Sequence, residues 1–376
     1  MGFVQKIAAF VKEKDLDLGS LTIVVPSDRA INKIKQELAK LYAIPILSPQ
    51  IITIDKWMRV EGKSKIDPTR QLITLYEIST KIAPFKDQSF EDFLSWGNTL
   101  LKDFDEVDRY LLDAKAVFKN LKSIKELETW QIDDEELSSS QKKFKAFWGH
   151  IPNIYTRFHE HLEQEKKTTS GRAYRDFNDA IIDEVSQLKE NHKFIFAGVN
   201  ALSLSELSVM KKLIEMKCAV FISDADHFYT GDSIHEAGSF IKKNHEFLNV
   251  DNPIPVLSSL GKKTMDITIV ECSQQIGQVK VAANELSKLS FEEQNNTLVL
   301  LCDESLISSV TKNIPSSIVK TNVSLGLPIT QTSIKSWVDI LFQIQENKLK
   351  FGTDSIYFYD FQRFINHSVT LSCTTI

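Results

Sequence analysis

One short apolar run constrains this chain more than any other feature. Leu21-Thr-Ile-Val-Val25 is mostly β-branched and ends at Pro26-Ser-Asp-Arg29. A run of this length without polar alternation predicts a strand buried on both faces. Ser27 or Asp28 then caps a helix expected from about Ala30 to Leu41. A second strand is expected over Gln50–Ile54, after the breaks at Pro45 and Pro49. Doubly buried strands joined by a helix call for a parallel sheet covered by helices, so the fold class is α/β.

From about residue 55 to 188 the period changes. Phe90, Phe93, Leu94, Gly97, Leu100, Leu101 and Phe104 recur at helical spacing with charges between them. A long helical insertion is expected, with the acidic, Ser-containing stretch Glu128–Gln141 as a loop. Strand patterning returns at Lys193–Gly198, followed by a helix over Ser205–Met216 and a strand over Cys218–Ile222. The polar segment Asp224–Tyr229 then lies at the strand's C-terminal end, where parallel α/β sheets bind ligands. The stretch 249–263, with Pro, Ser and Gly, reads as a linker. Beyond it a second α/β pattern is expected: strands Ile267–Val270, Thr297–Leu301 and Ser317–Val323 alternate with helices, including Gln275–Leu289 and Ser333–Gln345. The expected domains are therefore 1–55 with 190–248, an insertion over 56–189, and an incomplete second domain over 264–376.

The 376 residues suffice for more than one core. The net charge is −5, whereas a protein that coats nucleic acid is usually basic. Any nucleic-acid contact must therefore be local. Cys218, Cys272, Cys302 and Cys373 lack metal-type spacing and read as reduced thiols. No apolar run reaches the roughly 18–20 residues that span a bilayer. Residues 1–12 read as an amphipathic helix rather than a signal peptide, so a cytoplasmic location without a membrane partner is expected.

The motifs are informative chiefly by what they lack. A P-loop needs G-x-x-x-x-G-K-[ST], whose backbone N–H groups and Lys cradle phosphates. Gly62-Lys63-Ser64 comes nearest, but Trp57 stands where the first Gly is required, and a polar turn is the plainer reading. In P-loop ATPases a strand such as Phe194–Gly198 carries the Mg²⁺-binding Asp. Ala197 stands there, a degenerate Walker B position, and a methyl group cannot ligate metal. Asp224 and Asp226 are the candidate carboxylate pair, since residues two apart on a strand end face the same way. A metal there would also need His227 or Glu206, and a loop capping the next helix is the favoured alternative. Glu215-Met216-Lys217 has the E-x-K form of a nuclease core but ends a helix, so chance accounts for it. His159 and His161, two apart on a helix, do not share a face and read as surface residues. No Ser/His/Asp set can be assigned. The segment Trp148 to Arg175, with Tyr155, Arg157, Phe158, Arg172, Tyr174 and Arg175, can line a groove for single strands or simply pack helices.

The order of several strings resembles the N-terminal part of AddB-type exonuclease/helicase-like proteins, whose full-length members end in a PD-(D/E)XK nuclease domain. These strings are Ile23-Val-Val-Pro-Ser-Asp-Arg-Ala30, Ser48–Asp55, Ser95-Trp-Gly97, Asp103–Asp108 and Phe147-Trp-Gly149. They continue with Ala173-Tyr-Arg-Asp176, Phe196–Ser203 with Glu206, Asp224-Ala-Asp226, Gln278-Val-Lys280 and Asn322–Ile329. The resemblance implies tandem RecA-like domains of superfamily 1 helicase type, a role in recombinational DNA repair, and a helicase-nuclease partner subunit. It implies that the family's nuclease motifs, and the Mg²⁺ they hold, lie beyond residue 376, with no cofactor on this chain. It also implies that Val25-Pro26 sits beside single-stranded DNA. Phosphate contacts are expected from Ser27, Arg29, Lys33 and the helix start behind them, with Arg157, Arg172 and Arg175 as further DNA-binding candidates. A non-catalytic DNA-binding scaffold is the leading expectation. A Mg²⁺-dependent nuclease and a protein-interaction module are the alternatives.

Overall fold

The computed structural model describes residues 2–374 except 43, 84, 121–138, 187–190, 232–234, 259, 261 and 263; the side chains of 139–147, 184 and 374 also lie outside the description. The chain forms two compact units, Met1–Thr264 and Met265–Ile376.

In the first unit, α1 (Phe3–Glu13) buries Ile7, Ala8, Phe10 and Val11. Every residue of β1 (Leu21–Val25) is buried. Ser27 caps α2 (Asp28–Leu41), which returns the chain to β2 (Gln50–Thr53). A helical turn at Ile54–Trp57 leads to β3 (Ser64–Lys65). Asp67 caps α3 (Pro68–Ser79), and Pro68 occupies the first turn, where a missing N–H breaks no helical bond. Ser89 caps α4 (Phe90–Arg109), whose apolar stripe runs from Phe93 to Val107. Next come α5 (Ser139–Gln164), β4 (Lys167–Thr168) and α6 (Ser170–Ser186). The unit continues through β5 (Lys193–Ala197), α7 (Leu204–Glu215), β6 (Ala219–Ile222) and α8 (Ser239–Leu248).

The main sheet is parallel throughout, in the order β2-β1-β5-β6. The α/β expectation holds here. Winding reverses between β1 and β5, because β2 lies on one side of β1 and the later strands on the other. Alternation along the strands sends Ile23, Val25, Ile195 and Ala197 to the face covered by α1 and α2. Val24, Phe194, Phe196 and Phe221 face the opposite layer, which includes Phe177 of α6 and Met210 of α7. The remaining helices build a separate aromatic core around Phe93, Phe104, Phe118 and Phe158.

Three expectations need correction. Most of the segment read as a loop, 128–138, lies outside the described residues, but Ser139–Gln141 begin α5. Serine is favoured at helix starts as well as in loops, so composition does not separate the two. The stretch 249–263 ends where the two units divide, as a boundary should, but it is no free linker. Ile254 is buried in the sheet core, Asn252 hydrogen-bonds both backbone groups of Ser223, and Leu257 pairs with the segment at Asp226. Its prolines mark irregular backbone, which here packs as a strap.

The third correction concerns the second unit. Helices α9 (Gln275–Ser287), α10 (Ser333–Phe351) and α11 (Phe358–Ile365) form. The strands expected at Ile267–Val270, Thr297–Leu301 and Ser317–Val323 do not pair into a ladder. Ile269 is 90% exposed and Leu298 83%. An extended apolar run becomes a strand only against a neighbour in register, and none is present among the described residues. No helix among the described residues is long and apolar enough to cross a membrane.

Candidate nucleic-acid interface

Parallel packing puts the ends of β1, β5 and β6 on one edge of the sheet. At the end of β1, Pro26, Ser27, Asp28 and Arg29 are exposed. Ser27 Oγ accepts from Ala30 N at 3.4 Å, so the residue capping α2 also stands at the open edge. Lys56, which follows β2, pairs with Asp28 at 2.7 Å. Lys33 lies one turn further along α2, 3.6 Å from Glu37. The three sequence-expected phosphate contacts, Ser27, Arg29 and Lys33, therefore share one exposed helix start, whose N–H groups and dipole favour anions.

At the end of β5, Ala197 is 1% exposed and packs in the core shared with α1 and α2. A carboxylate at this position would point into apolar surroundings, not toward a metal. Gly198 follows with φ +72°, and the Phe3 ring occupies the space a side chain would need. Glycine is required there on both counts.

Beyond β6 the candidate carboxylate pair separates. Asp224 is exposed, whereas Asp226 is buried. Asp226 Oδ1 accepts from Phe228 N at 2.9 Å and Oδ2 from Leu260 N at 3.3 Å. Both oxygens are thus spent on backbone, and the pair does not fit a Mg²⁺ site. Strand geometry ends at Ile222, so the two-residue rule for strand ends does not apply. The capping alternative describes this segment. Among the described residues no three His, Cys, Asp or Glu side chains are grouped to hold a metal. A cluster of rings follows: Phe228 lies 5.1 Å from Tyr229 and 4.9 Å from His235, with Phe228 and Tyr229 both exposed. β6 is two strands from β1, roughly 10 Å, so the two segments leave the sheet at the same edge.

Ser223, at this edge, makes a contact that spacing did not reveal. Its Oγ lies 2.7 Å from His245 Nε2, and His245 Nδ1 lies 2.8 Å from Val250 O. Ser223 is 2% exposed, so the pair ties the 250s strap to α8 rather than presenting a nucleophile.

The remaining candidates fall in the helical layer. Arg157 is exposed, its Nε donating to Asn153 Oδ1 at 3.0 Å. Arg172 and Arg175 surround Asp108 of α4, which is wholly buried. Arg175 Nε lies 2.8 Å from its carboxylate, His159 Nε2 3.1 Å, and the Tyr155 hydroxyl donates to it at 2.5 Å. Arg175 Nη2 also donates to the carbonyls of Val107 and Leu112. Burial pushes the Asp108 carboxyl up; the hydrogen bonds from His159 and Tyr155 and the charge of Arg172 outweigh it and hold the group below its usual range. Burial, then Asp108, push the Tyr155 hydroxyl upward. His159 is thus a buried helix-packing residue, not a surface one. The sequence signal is the i, i+4 spacing of Tyr155 and His159, which puts both on one face; no local spacing links either residue to Asp108. His161 pairs with Glu165 instead.

Lys63 is committed as well. It reaches Glu163 at 2.5 Å and Asp176 at 2.9 Å, beside the two-residue ladder of β3 and β4. Burial lowers its pKa, but these two carboxylates more than compensate and raise it. Gly62-Lys63-Ser64 is therefore a structural joint between the helical layers. Glu215-Met216-Lys217 closes α7, with Lys217 at φ 58°. No protein-family model matches the chain, and no curated protein matches it significantly.

Proposed function

We propose that the chain is a non-catalytic, helicase-like DNA-binding body of AddB type, with RecA-like ancestry, acting as a scaffold in recombinational repair. The observation that carries the DNA-binding part is the sheet edge. There Ser27, Arg29 and Lys33 at an exposed helix start follow β1, and exposed Phe228 and Tyr229 follow β6, both beyond the C-terminal ends of parallel strands. Cations beside accessible rings suit single strands, whose phosphates and unstacked bases need both. Buried Ala197 supports the loss of ATP chemistry, and the engaged oxygens of Asp226 weigh against the nuclease alternative. The repair role, a helicase-nuclease partner subunit and Mg²⁺ chemistry elsewhere in the family rest on the ordered strings alone. A protein-binding role has one observation in its favour: an apolar groove of about 460 Å³ beside Phe342 and Phe361 in the second unit.

The test is binding of single-stranded and forked DNA across a salt series. Affinity is expected to fall steeply with salt, and Arg29→Glu with Lys33→Glu to weaken binding to all sequences and flatten that slope by about one per lost phosphate contact. Absence of binding at low salt removes the proposal.

A further inference from the structure

A cleft of about 410 Å³ opens beside the Asp108 cluster, lined in part by Lys115, Tyr155, Thr156, Arg172 and Arg175. Its two guanidinium groups are held from behind. Arg175 is held by the charge of Asp108, whose carboxylate lies 2.8 Å from Nε, and by two backbone carbonyls that accept from Nη2. Among the described residues its Nη1 has no hydrogen-bond partner. Arg172 Nε is taken by Asp176 at 2.8 Å, while its Nη1 stands 3.9 Å from Asp108, beyond direct hydrogen-bond reach. Tyr155, His159 and Arg175 all stand nearer to Asp108 than Arg172 does. Arg172 and Arg175 keep 35% and 22% of their side-chain surface exposed. Lys115 adds an exposed ammonium at the rim.

We infer that this cleft binds a phosphate-type oxyanion. Guanidinium forks pre-oriented by a buried carboxylate and carbonyls lose little entropy on binding, and their planar donors match two oxygens of one phosphate. Asp108 acts as the positioning residue. It fixes Arg175 without facing the ligand and offsets the charge of the two arginines, so the unliganded protein tolerates them side by side. Asp113 is the acidic group at the cleft, and its Oδ1 is engaged by the backbone N–H groups of Lys115 and Ala116. The inference stands on the helical layer and does not require the sheet-edge reading above. The oxyanion can belong to a nucleic-acid terminus or to a free phosphate compound.

The test is thermal denaturation and calorimetric titration of the full chain with inorganic phosphate, at ionic strength matched with chloride. A saturable rise in Tm is expected, with phosphate affinity reduced at least about tenfold in Arg172→Gln and in Lys115→Gln. The exposed Lys115 keeps the test valid if the Arg172 variant unfolds. Arg172→Lys retains charge without the fork and is expected to recover only part of the affinity. No saturable shift with phosphate, or wild-type affinity in Lys115→Gln and Arg172→Gln alike, overturns the inference. Oligonucleotides with 5′-phosphate and 5′-hydroxyl ends separate the two sources: tighter binding of the phosphorylated form, lost in Arg172→Gln, assigns the cleft to a nucleic-acid terminus, and equal binding assigns it to a free phosphate compound. A chain that binds phosphate here but no DNA would end the sheet-edge proposal and leave this one standing.

Discussion

Two regions with the same sequence pattern reach different states. In the first unit the apolar runs 21–25 and 193–197 pair in register and disappear from solvent. In the second, the runs 267–270, 297–301 and 317–323 alternate with helices in the same way, yet they remain unpaired and exposed. The difference is not one of strand propensity. Ile23 is enclosed by α1, α2 and neighbouring strands, whereas Ile269 stays exposed, with no layer over it among the described residues. Burial arises from the assembly of layers around a run, and the run alone supplies only the opportunity.

The comparison can be broken by mutation. The largest effect is expected at the centre of the well-packed helical layer. Asp108→Ala leaves partly buried Arg175 and buried His159 beside a vanished charge and is expected to cost about 3–5 kcal/mol in urea denaturation. A loss under about 1 kcal/mol would mean that the cluster is solvated. Ile23→Ala should follow at about 2–5 kcal/mol, since it empties a site with no exposure.

Acid sharpens the same contrast. The folded Asp108 carboxyl lies below its ordinary value, so its contribution is present above the unfolded pKa, about 3.9. It is lost as pH falls below that value through the folded pKa. The stability gap between wild type and Asp108→Asn should therefore be constant near neutrality and narrow in acid; a gap that widens in acid would contradict the assignment. The smallest effect belongs to the second unit. Ile269→Ser is expected to change stability by no more than about 0.5 kcal/mol. Amide exchange along 297–301 should be fast while β1 stays protected. Slow exchange at both would show that the two regions are alike after all.

Much of the first unit was legible because its signals are local. Five mostly apolar residues before Pro26-Ser27 specify a strand and a cap, and both lie where expected. The exposed start of α2 was equally legible, since a cap residue after a parallel strand must stand at the sheet's C-terminal edge. The Asp108 cluster was not. Tyr155 is 47 positions away from Asp108 in sequence, and helical periodicity identifies an apolar face without saying which polar residues are enclosed beside it. Arg172 and Arg175 stand out in the sequence only as members of an aromatic and basic segment, and composition could not tell solvated arginines from ones gripped by a buried carboxylate.

By itself, then, the sequence determined the elements that depend on neighbours a few residues away: β1, the capped α2 and the amphipathic α4. Tertiary structure alone decided what depends on distant partners. It joined β1 to β5, turned the 250s stretch into a strap, spent both oxygens of Asp226 on backbone, and enclosed His159 with Asp108. The reason is physical. Backbone conformation and capping respond to local sterics and hydrogen bonds, whereas burial and charge pairing are properties of surfaces that meet only once the chain has folded.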